Sequence, residues 1–102
     1  MTTMTLEQAY KLTESVVPSQ KRDRISDLIL EVLAEVTTRY PKAKVIYFGK
    51  GVRPNGTSGL VLTIDPDPGA WGESGFNSFL KFVARNSGAD KEMVVREPSY
   101  KP

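Results

Sequence analysis

The 102-residue sequence contains no cysteine and no histidine, and each absence closes off a block of chemistry. Without cysteine there is no disulfide, no thiolate nucleophile and no cysteine-ligated zinc. Without histidine the chain lacks the commonest general base, the usual partner of a catalytic serine and the commonest transition-metal ligand. No apolar run approaches the roughly 20 residues needed to span a bilayer. The opening MTTMTLEQAY has no basic stretch leading into an apolar one. The expected location is the cytoplasm, with no membrane partner. A net charge of +2 is too small to indicate nucleic acid by itself. Internal repeats and low-complexity segments are also missing.

What remains is ordinary material for a folded chain, 39% hydrophobic and 25% charged. Its length suits one domain with one modest core, spanning 1–102, with residues 1–4 and 98–102 expected to fray. The organising stretch is 19–41. There Ile25, Leu28, Ile29, Val32, Leu33 and Val36 recur at steps of three and four, which predicts a long helix with one broad apolar face. Leu30 lies off that face. Ser19 stands where an N-cap hydroxyl would accept a backbone N–H, and Pro41 lies just past the expected end.

Before it, Thr5 and Gln8 fit a capping box. Leu6, Ala9, Tyr10, Thr13, Val16 and Val17 then follow at helical spacing until Pro18 stops the run. Two helices joined by so short a corner should pack on one another. The mixed charges Lys21, Arg22, Asp23, Arg24 and Asp27 read as a solvated first turn more readily than as a phosphate site.

After Pro41 the period changes from helical to two. Residues 44–50 place Val45 and Tyr47 on one face and Ile46 and Phe48 on the other. Residues 59–65 place Leu60, Leu62 and Ile64 opposite Val61, Thr63 and Asp65. The connection is rich in turn formers, with Asn55-Gly56 suited to positive φ, and its length predicts a protruding, mobile hairpin loop. Pro66 and Pro68 end sheet pairing. Trp71, the one tryptophan, reads as a plug at the core edge. A third helix should begin near Ser74 or Asn77, bury Phe76, Phe79, Leu80, Val83 and Ala84, and end at Gly88. A short strand over 92–97 closes the chain.

The expected fold is α+β, in the order α-α-β-β-α-β. An antiparallel hairpin and a C-terminal strand, reached through a crossover helix, form a three-stranded sheet packed on helices. The strand order, 3-1-2 or 1-2-3, stays open. Such a sheet has few side chains with which to cover its far face. Ile46, Phe48, Val61 and Val94 or Val95 would then form an apolar patch for a protein partner or a second copy of the chain. Equally, Trp71 and the C-terminal tail could cover it, or helices could lie on both faces.

No residue set is assigned as catalytic, cofactor-binding or metal-binding. Asp65, Asp67 and Glu73 could hold a hard cation, but aspartates alternating with prolines are most often turn formers. The glycines at 49, 51, 56 and 59 match no phosphate-cradling motif. One asymmetry stands out. From Val36 to Ile64 there is no acid, while Arg39, Lys42, Lys44, Lys50 and Arg53 all fall there. Arg39 and Lys42 suit a helix C-terminus and Lys44 guards a strand start; Lys50 and Arg53 have no such excuse.

These observations rank three functions. The first is a non-enzymatic protein-binding module, regulatory or inhibitory, of the kind carried by phages and other mobile elements. Its partner-binding residues would be Lys44, Tyr47, Lys50, Arg53, Ile46 and Phe48. The second is an RNA- or single-stranded-DNA-binding module that uses the basic hairpin 42–53. The third is an enzyme working without histidine or cysteine.

Overall fold

A computed structural model describes residues 4–53, 55–66 and 75–98. Helix α1 (Leu6–Glu14) opens with the capping box: the Gln8 N–H donates to Thr5 Oγ1 at 3.2 Å, and the Thr5 N–H donates to Gln8 Oε1 at 3.0 Å. The N–H groups of Thr5 and Gln8 are thereby satisfied. At the other end Arg22 reaches back, its Nη2 donating to Glu14 O at 2.8 Å and its Nε to Val17 O at 3.1 Å. The carbonyls of the last helical residue and of Val17 thus gain a cationic partner.

The corner differs from expectation. Ser19 does not cap the long helix. Ser19–Lys21 forms a turn of 3₁₀ helix, and α2 (Arg22–Arg39) begins without a side-chain cap. It ends at Tyr40, whose backbone leaves the helical region (φ −125°, ψ 80°) as the following proline requires. Within α2, Ile25, Leu28, Ile29, Val32, Leu33 and Val36 are all buried, as the spacing predicts. Leu30 is half-buried and packs against the same core. Helices α1 and α2 also share a buried polar contact, Thr13 Oγ1 to Ser26 Oγ at 3.2 Å. The Thr13 hydroxyl additionally reaches Tyr10 O at 2.8 Å. Both hydroxyls are closed to solvent, and they fix one register of α1 against α2, since sliding would leave the Ser26 hydroxyl without its partner.

Strands β1 (Lys44–Val52) and β2 (Ser58–Asp65) pair antiparallel, and β3 (Met93–Arg96) runs parallel to β2 after the crossover through α3 (Phe76–Ser87). The strand order is β1-β2-β3. Helix α3 begins after Gly75 (φ 95°) and ends at Gly88 (φ 82°), the expected left-handed C-terminal residue. The architecture is α+β in the expected order. Among the described residues no helix is long and apolar enough to cross a membrane. Trp71, Asp67, Glu73 and the tail 99–102 lie outside the described residues.

All three helices and all three strands contribute to one core. On the sheet side it is built from Phe48, Leu62, Ile64, Met93 and Val95, with Val45 and Leu60 packed against it. Tyr40, four residues beyond Val36 and just past the end of α2, joins this core. Its ring meets Phe76 edge-on, with centroids 4.7 Å apart, and Phe79 at 5.6 Å. Phe79 itself is only half-buried, with the Arg39 guanidinium 5.3 Å from its centroid.

The far face of the sheet is not the bare patch that the alternation suggested. Val61 is fully buried, Val94 is half-buried, and Phe48 and Val95 belong to the core. Gly49 lies opposite Val61 in the register and Gly51 lies diagonal to it, so neither competes for its space. A Cβ on Gly51 would come within 2.6 Å of Val61 Cγ2.

Two predictions follow from this packing. Truncating Leu28, Ile29 or Leu33 to alanine should cost about 2–5 kcal/mol each, read as a lowered midpoint in urea denaturation. Gly51→Ala should cost about 1–3 kcal/mol, because the added methyl would press on the stiff, fully buried side chain of Val61. An unchanged midpoint for Gly51→Ala would show that the β1–β2 contact at this point is not tight.

Candidate binding surfaces

The site residues separate onto two surfaces, and the local cause is a β-bulge. The β1–β2 register is regular from Tyr47 opposite Thr63 to Val52 opposite Ser58, but slips between Val45 and Tyr47. Val45 faces the core, Ile46 is the extra residue, and Tyr47 begins the next phase of the alternation. Ile46 and Tyr47 therefore both point outward, 45% and 48% exposed, while Phe48 turns in and is 9% exposed. The expected pairing of Ile46 with Phe48 on one face, and of Val45 with Tyr47 on the other, is wrong for this reason. Phe48 belongs to the core and also lines the groove beside α1.

Tyr47 is held in place. Its hydroxyl donates to Lys50 O at 2.8 Å, and its ring lies across Gly49, where a Cβ would fall 2.7 Å from the hydroxyl oxygen. Beside this segment a groove of about 620 Å³ runs between α1 and β1. Its apolar lining includes Leu12, Leu33, Val45 and Phe48, and Lys11 and Lys44 add positive charge. Lys11 reaches Glu7 at 3.9 Å, but both side chains are largely in water, so the pair contributes little. Because β1 is an edge strand, this surface also carries backbone groups on the side away from β2.

The second surface gathers the basic residues at the opposite end of β1. The strands are longer than the spacing implied, so only 53–57 connects them. The loop is closed rather than loose. The Arg53 N–H donates to Thr57 O at 2.7 Å, and Asn55 Oδ1 accepts from both the Thr57 N–H (3.1 Å) and the Thr57 hydroxyl (2.6 Å). Gly56 takes the positive φ (87°). Arg53 does not project into solvent. Its side chain folds back over Gly59, occupying the place where a Cβ would stand, and Nη2 donates to the backbone oxygen of Glu92 at 3.4 Å.

Arg53 and Lys50 thereby border a cleft of about 500 Å³ that also includes Lys21 and Lys91. Its apolar floor comes from the α1–α2 corner and β2: Val17, Ile25 and Leu60. Sequence distance hid this cluster, because Lys21 and Lys91 lie outside the acid-free window and one of them sits in a mixed-charge run. Of the other basic residues in that window, Lys44 belongs to the groove. Arg39 lies against the rings of Tyr40 and Phe79.

Comparison with protein-family models, with curated proteins and with solved structures finds no match to this chain.

A prediction tests the bulge. Tyr47→Phe removes the hydroxyl that ties the segment to Lys50 O. It should cost no more than about 0.5–1.5 kcal/mol, because water replaces an exposed bond. Amide exchange at 46–50 should nevertheless accelerate, while protection in β2 stays unchanged. Equal loosening of both strands would mean that the bulged segment has no separate stability.

Proposed function

We propose that this protein is a non-enzymatic binding module whose partner is another protein, engaged through the bulged segment of β1 and the groove beside it. One observation carries this reading: two consecutive large apolar side chains, Ile46 and Tyr47, stand exposed next to an apolar groove. In a regular strand one of them would point into the core. A bulge forgoes part of the ladder pairing and re-aims a side chain, and bulges concentrate at sheet edges and next to functional sites. An aromatic and a branched aliphatic residue beside a preformed groove suit the anchor region of a protein interface.

Lys11 and Lys44 define the complementary chemistry. The partner segment carries apolar side chains for the groove, flanked by carboxylates, with charge steering its approach. Masking a surface of that partner is a sufficient mode of action for a regulatory or inhibitory protein of this size.

The test is affinity capture from the native host with the unaltered chain, an Ile46→Asp variant and a Lys44→Glu variant, each with and without nuclease. The expected result is a protein retained after nuclease treatment, lost with Ile46→Asp, and weakened with Lys44→Glu more at low salt than at high. Capture that disappears on nuclease treatment would favour the nucleic-acid reading instead. Concentration-dependent sedimentation abolished by Ile46→Asp would make the partner a second copy of this chain.

A further inference from the structure

We infer that the cleft bordered by Lys21, Lys50, Arg53 and Lys91 is a binding site for a small phosphate-bearing ligand. This site is separate from the proposed protein-binding surface, since the cleft and the groove share no lining residue.

Four cations border one cleft, and a single carboxylate, Glu92, borders it with them. That carboxylate is engaged from another side by Arg24, at 3.8 Å. Among the described residues Lys21, Lys50 and Lys91 make no ion pair. The three lysines are exposed and in part screened by water, but gathering them with Arg53 around one concave surface still concentrates positive potential there. A singly charged anion offsets little of that potential. A phosphate-bearing group carries more charge and presents several acceptor oxygens to ammonium and guanidinium donors.

Arg53 is held more firmly than the three lysines. Its guanidinium is held against Gly59 by shape and tied to the Glu92 carbonyl by one long hydrogen bond. Its Nε is closed to solvent and has no hydrogen-bond partner. A buried N–H without an acceptor is costly, and native proteins rarely keep one. Here the cost accompanies a guanidinium fixed at the cleft wall rather than free in water. A planar fork immobilised in this way loses less freedom on binding an oxyanion than a solvent-exposed arginine would.

Size and floor narrow the ligand. A volume of about 500 Å³ lies in the range of small-molecule sites and suits a compact molecule. A polymer backbone would instead be matched by cations spread along a track. Val17, Ile25 and Leu60 give an apolar bed for a ligand body beyond its phosphate. The inferred ligand therefore has a multiply charged phosphate end and a less polar remainder of nucleotide size.

The experiment is an NMR titration of the ¹⁵N-labelled protein with inorganic pyrophosphate and with adenosine diphosphate, followed at backbone amides and at the Arg53 Nε–Hε resonance. Saturable shifts are expected at Lys50, Gly59, Lys91 and Arg53 Nε. The Lys50→Glu, Lys91→Glu double variant should weaken binding roughly tenfold or more. A charge-matched control at the groove, Lys11→Glu with Lys44→Glu, should keep it within about twofold, because its charges lie outside the cleft. If the glutamate variant does not fold, Lys50→Gln with Lys91→Gln makes the same comparison. Non-saturating shifts, or equal weakening by the control pair, would overturn the site. Single-stranded oligonucleotides form a second arm. Affinity that climbs with oligonucleotide length beyond what the cleft can hold would overturn the small-ligand assignment and make the cleft part of a nucleic-acid track.

Discussion

The apolar stripe of α2 has to be covered along its whole length, and the remaining elements are arranged to do so. At 18 residues α2 is about 27 Å long. A helix of that kind is marginal alone in water and depends on tertiary burial of its amphipathic face. Helices α1 and α3 and one face of the sheet converge on Ile25, Leu28, Ile29, Val32, Leu33 and Val36, and every element contributes buried residues to the same core. The Thr13–Ser26 contact then selects one register among those that hydrophobic packing alone would tolerate. Directional hydrogen bonding adds specificity where the non-directional hydrophobic effect gives only cohesion.

The sheet accommodates this demand by breaking its own regularity. Central strand β2 is covered on both faces, with Val61, Leu62, Thr63 and Ile64 all buried. Edge strand β1 is freer, and the slip at Ile46 lets Val45 and Phe48 both face the helices although three steps separate them. The same slip exposes Ile46 and Tyr47. Core packing and the apolar surface beside the groove are thus two consequences of one local event. Lys44 and Lys50 on this strand also discourage unspecific edge-to-edge pairing, so charge and bulge together limit what can dock there.

Charge is organised by the fold at a different end of the molecule. Closure of the hairpin turn around Asn55 and Gly56 turns Arg53 back onto Gly59, and the α1–α2 corner and the turn before β3 bring Lys21 and Lys91 to the same cleft. Three separate connections meet here, which is why a chain of net charge +2 can still present a concentrated positive site. Local charge density depends on chain path and not on composition.

The sequence by itself determined the helices, the capping box at Thr5 and Gln8, the C-terminal glycine at Gly88, the antiparallel hairpin and the order of elements. These follow from periodicity and from backbone preferences that act within a few residues. It also marked Lys50 and Arg53 as charges without a local structural role. Tertiary structure alone decided the strand order, because the alternation along a strand tells which face each residue takes and not which strand lies beside it. It alone decided that Ile46 and not Phe48 faces solvent, since a bulge shifts a two-residue period by one and leaves no mark in an apolar run where every residue suits either face. Tyr40 continues the α2 spacing four residues after Val36, but it sits past the helix end and before Pro41, where spacing alone does not say that the side chain still faces inward. The joining of Lys21 and Lys91 with Lys50 and Arg53 was beyond any local signal. Residues so far apart in sequence become neighbours only through the packing of the elements that carry them.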